Sequence, residues 1–151
     1  MFCSDCGVPN SNSSPVQDRI VGGSETLTGQ YPWHAALMVK NGYLCGATII
    51  GARHVITAAH CTTRYQGTEL YVHVGDTDVT ASYDNRGRMI QVETKIDHPL
   101  WGKGENRKSN DISILILSED LDLTASSVIK PACLPTQDQE FYWKVKASYN
   151  L

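Results

Sequence analysis

One histidine of the sequence, His60, stands in a context that suits acid–base chemistry. It follows the apolar segment Val55-Ile56-Thr57 and two alanines, and Cys61 comes directly after it. Because alanine side chains are small, the backbone can pack closely there, and we expect the imidazole to be held in one direction. A neutral imidazole in a fixed position can accept a proton near neutral pH. His60 is therefore a candidate general base; the plainer interpretation is an ordinary packed histidine.

A second candidate, Asp111, precedes the most apolar run of the chain, Ile112 to Leu117. A carboxylate beside such a run is costly to bury without a partner, and a histidine ring N–H is a suitable donor. An aspartate that accepts from one ring nitrogen selects the tautomer and leaves the other nitrogen free as a base. His60 and Asp111 together therefore predict a proton-transfer pair. The plainer interpretation of Asp111 is a cap at the end of a strand.

A third motif, Asp18-Arg19-Ile20-Val21-Gly22-Gly23, indicates proteolytic processing. A lone basic residue precedes two β-branched residues and two glycines, within a polar leader rich in serine. Such a basic residue is a target for a protease, and the glycines would allow a new chain end to move. We expect cleavage between Arg19 and Ile20.

The elements that must position these residues are short strands. From Ile20 onward, short apolar runs alternate with turn signals, a pattern typical of an all-β barrel or sandwich. Asn41-Gly42 is predicted to form a two-residue hairpin turn, because both residues tolerate positive φ. The predicted strands are Trp33–Lys40, Tyr43–Ile50, His54–Thr57, Leu70–Val74, Met89–Ile96 and Ile112–Leu117.

Composition and charge narrow the function classes. The chain has 151 residues, of which 41% are apolar and 19% charged, which allows one core in one domain or part of a larger one. With 13 basic and 16 acidic residues, the formal net charge is −3, which argues against a nucleic-acid partner bound by general electrostatics. No apolar run approaches the roughly 18 residues of a membrane span, so no membrane partner is expected.

Five cysteines favour a disulfide framework in an oxidising compartment. Cys3 and Cys6 form a lone CxxC pair with no second pair nearby, so we expect no metal site. Asn12-Ser13-Ser14 is an acceptor sequence for N-glycosylation, which agrees with an extracellular protein. The segment from Met1 to Gly7 lacks the basic and apolar parts of a signal peptide, and we interpret the N-terminus as trimmed or misassigned.

Several motifs in a fixed order make the chain resemble the chymotrypsin-like serine protease family. The resemblance extends from Cys6 to about Tyr142, nearly the whole chain. The motifs that carry it are Cys6-Gly7-Val8-Pro9, Arg19-Ile20-Val21-Gly22-Gly23, Tyr31-Pro32-Trp33, Leu44-Cys45-Gly46, Thr57-Ala58-Ala59-His60-Cys61, Asp111-Ile112-Ser113-Ile114-Leu115 and Pro131-Ala132-Cys133-Leu134-Pro135.

The resemblance implies a fold and a division of the chain. The fold is the first six-stranded antiparallel β-barrel of a two-barrel architecture, without the second barrel. Residues 1–19 would form the leader and 20–130 the barrel. Residues 131–151 would form the linker between the barrels and a truncated start of the second one.

The resemblance also implies the chemistry. The family hydrolyses peptide bonds with a Ser-His-Asp triad, in which His60 would act as the base and Asp111 would orient it. A trypsin-like protease would activate the secreted zymogen between Arg19 and Ile20. No cofactor or metal is implied, and the partners are the activating protease and a protein or peptide substrate.

The disulfides that the resemblance implies are Cys45–Cys61 and Cys6–Cys133, and Cys3 is left without an assigned partner. Cys45–Cys61 would join the first hairpin to the histidine turn. Cys6–Cys133 would keep the leader attached to the linker between the barrels after cleavage.

The chain departs from the family pattern in one major respect and in two smaller ones. The Gly-Asp-Ser-Gly-Gly stretch that carries the family's nucleophile is not among the 151 residues, nor is a specificity pocket. We therefore expect a chain truncated before its nucleophile and inactive alone; the alternative is a non-catalytic homologue that binds or regulates. Gly46-Ala47-Thr48 replaces the frequent Gly-Gly-Ser, and Ser113 stands where alanine is common. We expect neither of these two smaller changes to affect the chemistry.

Overall fold

The computed structural model describes residues 6–10, 29–76, 87–103, 108–124 and 128–135. The predicted cleavage site Arg19–Ile20, the glycosylation candidate Asn12 and the unassigned Cys3 lie outside these ranges. The boundaries proposed for the leader and for the linker therefore stay predictions.

Six antiparallel strands close into a barrel, in the order β1-β2-β3-β6-β5-β4. The prediction of an all-β barrel is confirmed, and within the described residues helix is confined to one α-helical turn and one 3₁₀ turn. The strands are β1 His34–Val39, β2 Gly42–Ile49, β3 His54–Thr57, β4 Leu70–Val74, β5 Arg88–Asp97 and β6 Ser113–Leu117, with helix α1 at Ala59–Thr62 and the 3₁₀ turn at Gly67–Glu69.

The core fills the inside of this barrel. In β4 and β6 buried and half-buried residues alternate along the whole strand. This alternation follows from the strand geometry, in which successive side chains point to opposite faces of the sheet. Val55 of β3 and Leu115 of β6 are opposite each other, and both are fully buried.

The observed strands differ from the predicted ones only near their ends. The β1–β2 hairpin is the main correction, because Val39 pairs with Gly42 and the two connecting residues are Lys40 and Asn41. Gly42 is the first residue of β2 and has φ 126°, and Asn110 is the sole non-glycine residue with positive φ in the described ranges. The prediction of an Asn41-Gly42 turn is therefore wrong by one residue: only the glycine, which lacks a Cβ, takes the unusual φ.

The segment at 6–10 is attached to the segment at 128–135. Cys6 and Cys133 form a disulfide, and the Gly7 amide donates to the Pro131 carbonyl oxygen at 2.8 Å. The Ala132 amide in turn donates to the carbonyl oxygen of Ile49, at the end of β2. The beginning of the chain is thus connected through residues 131–133 to the barrel. Among the described residues, no helix has the length and apolar character needed to cross a bilayer.

The first prediction concerns the packing of the barrel core. Leu115→Ala removes a fully buried side chain and leaves a cavity, and we expect it to lower the free energy of unfolding by about 2–5 kcal/mol. Ile116→Ala, on the same strand but half-buried, is the matched control and should lower it less. Urea denaturation measures both, and equal losses would contradict the assigned inward face of β6.

Candidate active site

His60 lies in a single helical turn that directly follows β3. The strand ends at Thr57, whose hydroxyl donates to the Gly46 carbonyl oxygen at 2.9 Å. Ala58 is extended (φ −81°, ψ 138°), and the turn α1 begins with the fully buried Ala59. Because Ala59 has only a methyl group to bury, the turn can lie against the barrel while the next side chain, His60, points to solvent.

A disulfide holds this turn against the first hairpin. Cys61 in α1 is bonded to Cys45 in β2, across a sequence separation of 16 residues. In the chain-entropy account of disulfides, a bond that closes a loop of that length stabilises the fold by about 3 kcal/mol. The bond places the Cys61 Sγ 3.3 Å from His60 Nε2.

The same three residues are the one group in the described ranges with a spacing that could hold a metal ion. The ligand atoms of Cys45, His60 and Cys61 lie within 4.8 Å of one another. A cysteine binds zinc as a thiolate, and here both sulfurs are joined to each other in a disulfide. Only the imidazole therefore remains as a ligand, and the donor set does not fit a metal.

Asp111 is presented by a tight turn before β6. Asn110 has φ 62°, a left-handed conformation that asparagine tolerates better than most residues. The Ile112 amide then donates back to the Asn110 carbonyl oxygen at 2.8 Å, and the Ile112 carbonyl oxygen accepts from the His98 amide at 3.0 Å. These bonds direct the Asp111 side chain toward α1.

The structure brings the two predicted site residues together although 51 positions separate them. The Nδ1 of His60 lies 2.6 Å from Oδ2 of Asp111, and the His60 backbone amide donates to Oδ1 at 2.8 Å. One carboxylate therefore contacts both the ring and the backbone of the same histidine. The His60 side chain is 61% exposed and that of Asp111 only 30%, so the carboxylate lies behind the ring and the ring faces solvent.

The charge on Asp111 is favoured by these contacts. Burial alone would raise the pKa of Asp111, but hydrogen bonds from the His60 ring, the His60 amide and the Ala59 amide outweigh it and lower the pKa. An ionised carboxylate next to Nδ1 keeps the proton on that nitrogen. The Nε2 of His60 is then the proton acceptor, and the neighbouring disulfide sulfur has no proton to give it.

Four further hydrogen bonds support the histidine turn. The Trp101 indole N–H donates to the Thr63 hydroxyl at 3.0 Å, and that hydroxyl donates to the Ala59 carbonyl oxygen at 2.6 Å. Beneath α1, the hydroxyl groups of Thr62 and Ser113 both donate to the carboxylate of Asp97. Sequence reasoning missed these groups, and the one signal was a serine inside the apolar run before Leu117.

The Asp111 carboxylate generates the second prediction. We expect it to titrate below its ordinary value of 3.8 in the folded chain, and at an ordinary value in urea. Since the folded pKa is the lower one, its contribution to stability is full above the unfolded pKa and is lost as pH falls through the folded pKa. His60→Ala removes the ring N–H and should raise the pKa.

Carboxyl ¹³C NMR of the two proteins measures this titration. An equal Asp111 midpoint in the parent chain and in His60→Ala would mean that the ring does not stabilise the carboxylate.

Comparison with known proteins places the chain in a family. The family model described as Trypsin matches residues 20–148. Transmembrane protease serine 5 of Homo sapiens is 31% identical over 142 residues, which cover 92% of this chain and 29% of that protein. Venom serine protease Bi-VSP of Bombus ignitus is 35% identical over 143 residues, which cover 88% of this chain and 37% of that protein.

A third relative, the Protein masquerade of Drosophila melanogaster, is 35% identical over 135 residues, which cover 87% of this chain and 12% of that protein. The chain thus spans less than two fifths of the length of each of these relatives. The match to the family model nevertheless covers most of the chain, including the barrel, the histidine turn and the aspartate segment. The chain therefore belongs to the trypsin family, the chymotrypsin-like serine proteases that its motifs resemble.

Proposed function

We propose that this chain carries the general base and the orienting carboxylate of a serine-type endopeptidase. The observation that supports this most directly is the 2.6 Å contact between His60 Nδ1 and Asp111 Oδ2, with the ring exposed on its other side. Membership of the trypsin family supports protein or peptide substrates. No cofactor enters the proposal, because the reaction needs only proton transfer and a nucleophile.

The proposed reaction begins with a serine hydroxyl that lies outside the 151 residues. His60 Nε2 would take the hydroxyl proton while the serine oxygen attacks the peptide carbonyl carbon. The same nitrogen would then give the proton to the leaving amine. A water that His60 deprotonates would attack the resulting acyl ester, and His60 would return that proton to the serine oxygen as its bond to the acyl carbon breaks. Asp111 would stay ionised throughout and stabilise the imidazolium, in agreement with its lowered pKa.

Donors for the oxyanion would also have to come from outside this sequence. The 151 residues contain no Gly-Asp-Ser-Gly-Gly stretch, so the polypeptide alone holds two members of the triad, His60 and Asp111. We therefore propose that the 151-residue polypeptide is inactive by itself. Substrate preference would be decided by residues other than those described.

A non-catalytic homologue that binds or regulates is the second candidate. It would keep the trypsin-family barrel without the reaction. Against it, both His60 and Asp111 are present and in hydrogen-bond contact, whereas a protein without catalysis has no need to keep this pair. The residue at the serine position of any longer form decides between the two: serine supports the enzyme, and glycine supports the homologue.

We further propose that the protein is extracellular and is made as a zymogen. The two disulfides agree with an oxidising compartment, as do the acceptor sequence at Asn12 and the venom protease among the relatives. A trypsin-like protease would cleave between Arg19 and Ile20. The leader would then stay attached through Cys6–Cys133.

The third prediction tests catalysis. We expect the 151-residue chain to hydrolyse no peptide ester or amide and to resist labelling by a serine-directed phosphonate, because it lacks the nucleophile. Stoichiometric labelling would contradict the proposal. In a longer form that contains the serine, His60→Ala should lower kcat/KM by about 10⁴- to 10⁶-fold, because triad members act as a unit. His54→Ala, an exposed histidine at the other end of β3, is the matched control and should leave kcat/KM unchanged.

The fourth prediction tests processing. Trypsin at low dose should cut first after Arg19, and the Arg19→Gln variant should resist that cut. Mass spectrometry should find the two fragments joined until a reductant opens Cys6–Cys133. Release of the leader peptide without reductant would show that this disulfide does not hold it.

A further inference from the structure

A carboxylate and two hydroxyl groups form a cluster beneath the histidine turn. Asp97 is the last residue of β5, and its Oδ1 accepts from the Thr62 hydroxyl at 2.6 Å and from the Ser113 hydroxyl at 2.8 Å. Its Oδ2 accepts from the Lys95 ammonium at 2.7 Å. A single carboxylate oxygen therefore accepts hydrogen bonds from two different segments of the chain.

These two segments are the ones that carry the His60–Asp111 pair. Thr62 follows His60 by two positions in α1, and Ser113 follows Asp111 by two positions at the start of β6. Thr62 is 0% exposed and Ser113 1% exposed, whereas the His60 ring faces solvent. Residues two apart on a helix point to nearly opposite sides, so a contact at Thr62 fixes the direction of His60.

The hydrogen bonds within this cluster are stronger than hydrogen bonds between neutral groups. A hydrogen bond to an ionised acceptor is shorter and stronger than one between neutral groups. Burial alone would raise the pKa of Asp97, but the contacts from Lys95, Thr62 and Ser113 outweigh it and lower the pKa, so the acceptor is charged. The Thr62 hydroxyl also lies 3.1 Å from the Ala59 carbonyl oxygen, a longer distance than to Asp97. Since a hydroxyl has one proton, the carboxylate is its preferred acceptor.

The other restraints on α1 act from different directions. The β3–β6 ladder places Thr57 opposite Ser113, which fixes the chain just before the turn. The disulfide from Cys61 pulls the turn toward β2. Asp97 holds the last residue of the turn to the ends of β5 and β6, where Asp97 itself pairs with Ser113. Asp97 therefore adds a further restraint, which links the histidine turn to the start of β6 through Thr62 and Ser113.

We propose that Asp97 is a positioning residue for the His60–Asp111 pair, and that it holds the two backbones at hydrogen-bond distance through Thr62 and Ser113. The proposal rests on the proposed function for its catalytic meaning, but the positioning itself is a property of the folded chain. It also revises the expectation that a serine at position 113 has no effect on the chemistry. The hydroxyl of Ser113 is one of the two donors through which Asp97 acts.

Hydrogen exchange of the 151-residue chain tests the proposal without any catalytic assay. The His60 amide donates to Asp111 and reports the geometry of the pair, whereas the Ile49 amide donates to the Trp33 carbonyl oxygen and reports the barrel. In Asp97→Ala, we expect the protection of the His60 amide to fall about tenfold or more relative to that of Ile49. The downfield NMR signal of the His60 Nδ1 proton should broaden or disappear.

The matched control is Glu93→Ala. Glu93 is also an ion-paired carboxylate on β5, but it pairs with Arg53, away from the histidine turn. We expect this variant to leave the ratio of His60 to Ile49 protection, and the Nδ1 proton signal, unchanged. An equal change in Glu93→Ala and Asp97→Ala would overturn the proposal, because it would reflect a general loss of stability.

Two milder variants keep the test decisive if Asp97→Ala fails to fold. Ser113→Ala removes one donor, and Lys95→Met removes the ion pair while it leaves both hydroxyl bonds. We expect a selective loss at His60 in Ser113→Ala, and a smaller selective loss in Lys95→Met. Equal loss of protection at His60 and Ile49 in Ser113→Ala would overturn the positioning role.

Neither the hydrogen exchange of the His60 amide nor the NMR signal of its Nδ1 proton depends on peptide hydrolysis. Selective loss at His60 in a protein whose longer forms show no peptidase activity would contradict the proposed function and leave the positioning role intact.

Discussion

The His60–Asp111 pair depends on the antiparallel pairing of β3 with β6. These strands are distant in sequence, and their ladder sets Thr57 opposite Ser113 at one end of the barrel. The histidine turn leaves that end of β3, and the aspartate segment enters β6 at the same end. A one-residue slip would turn every side chain of one strand to the other face. The buried Val55 and Leu115, opposite each other in this ladder, oppose such a slip because it would turn one of them out of the core and into water.

At this end of the barrel, polar groups need hydrogen-bond partners that the apolar core does not provide. The Asp111 carboxylate uses both oxygens on His60, one on the ring and one on the backbone amide. The Thr62 and Ser113 hydroxyls, almost completely buried, share one oxygen of Asp97. Because a buried hydroxyl without an acceptor destabilises a fold by about 1–3 kcal/mol, this arrangement matters for stability as well as for geometry. In the part of the chain that the structure describes, no buried side-chain nitrogen or oxygen lacks a partner.

Individual residues show which parts of the fold and of the site can be predicted from the sequence. The alternation of Leu70 to Val74 is a local property of a strand with one buried face, and the predicted and observed bounds of β4 agree. The turn between β1 and β2 was misplaced by one residue, because its position depends on the register Val39–Gly42 as well as on the residue types. The sequence gives no sign that Ser113 affects the site, because its partner, Asp97, lies on a different strand. No sequence pattern links these two residues.

The sequence by itself determined the all-β character, the six strands and the two residue types suited to proton transfer. Strand alternation and the residues around His60 and Asp111 are local, so they can be read along the chain. Only the tertiary structure decided that the Asp111 carboxylate contacts both the ring and the amide of His60, that the Cys45–Cys61 disulfide lies beside Nε2, and that Asp97 connects Thr62 to Ser113. These are contacts between segments up to 51 positions apart, and their distances arise from barrel closure, which no local pattern encodes.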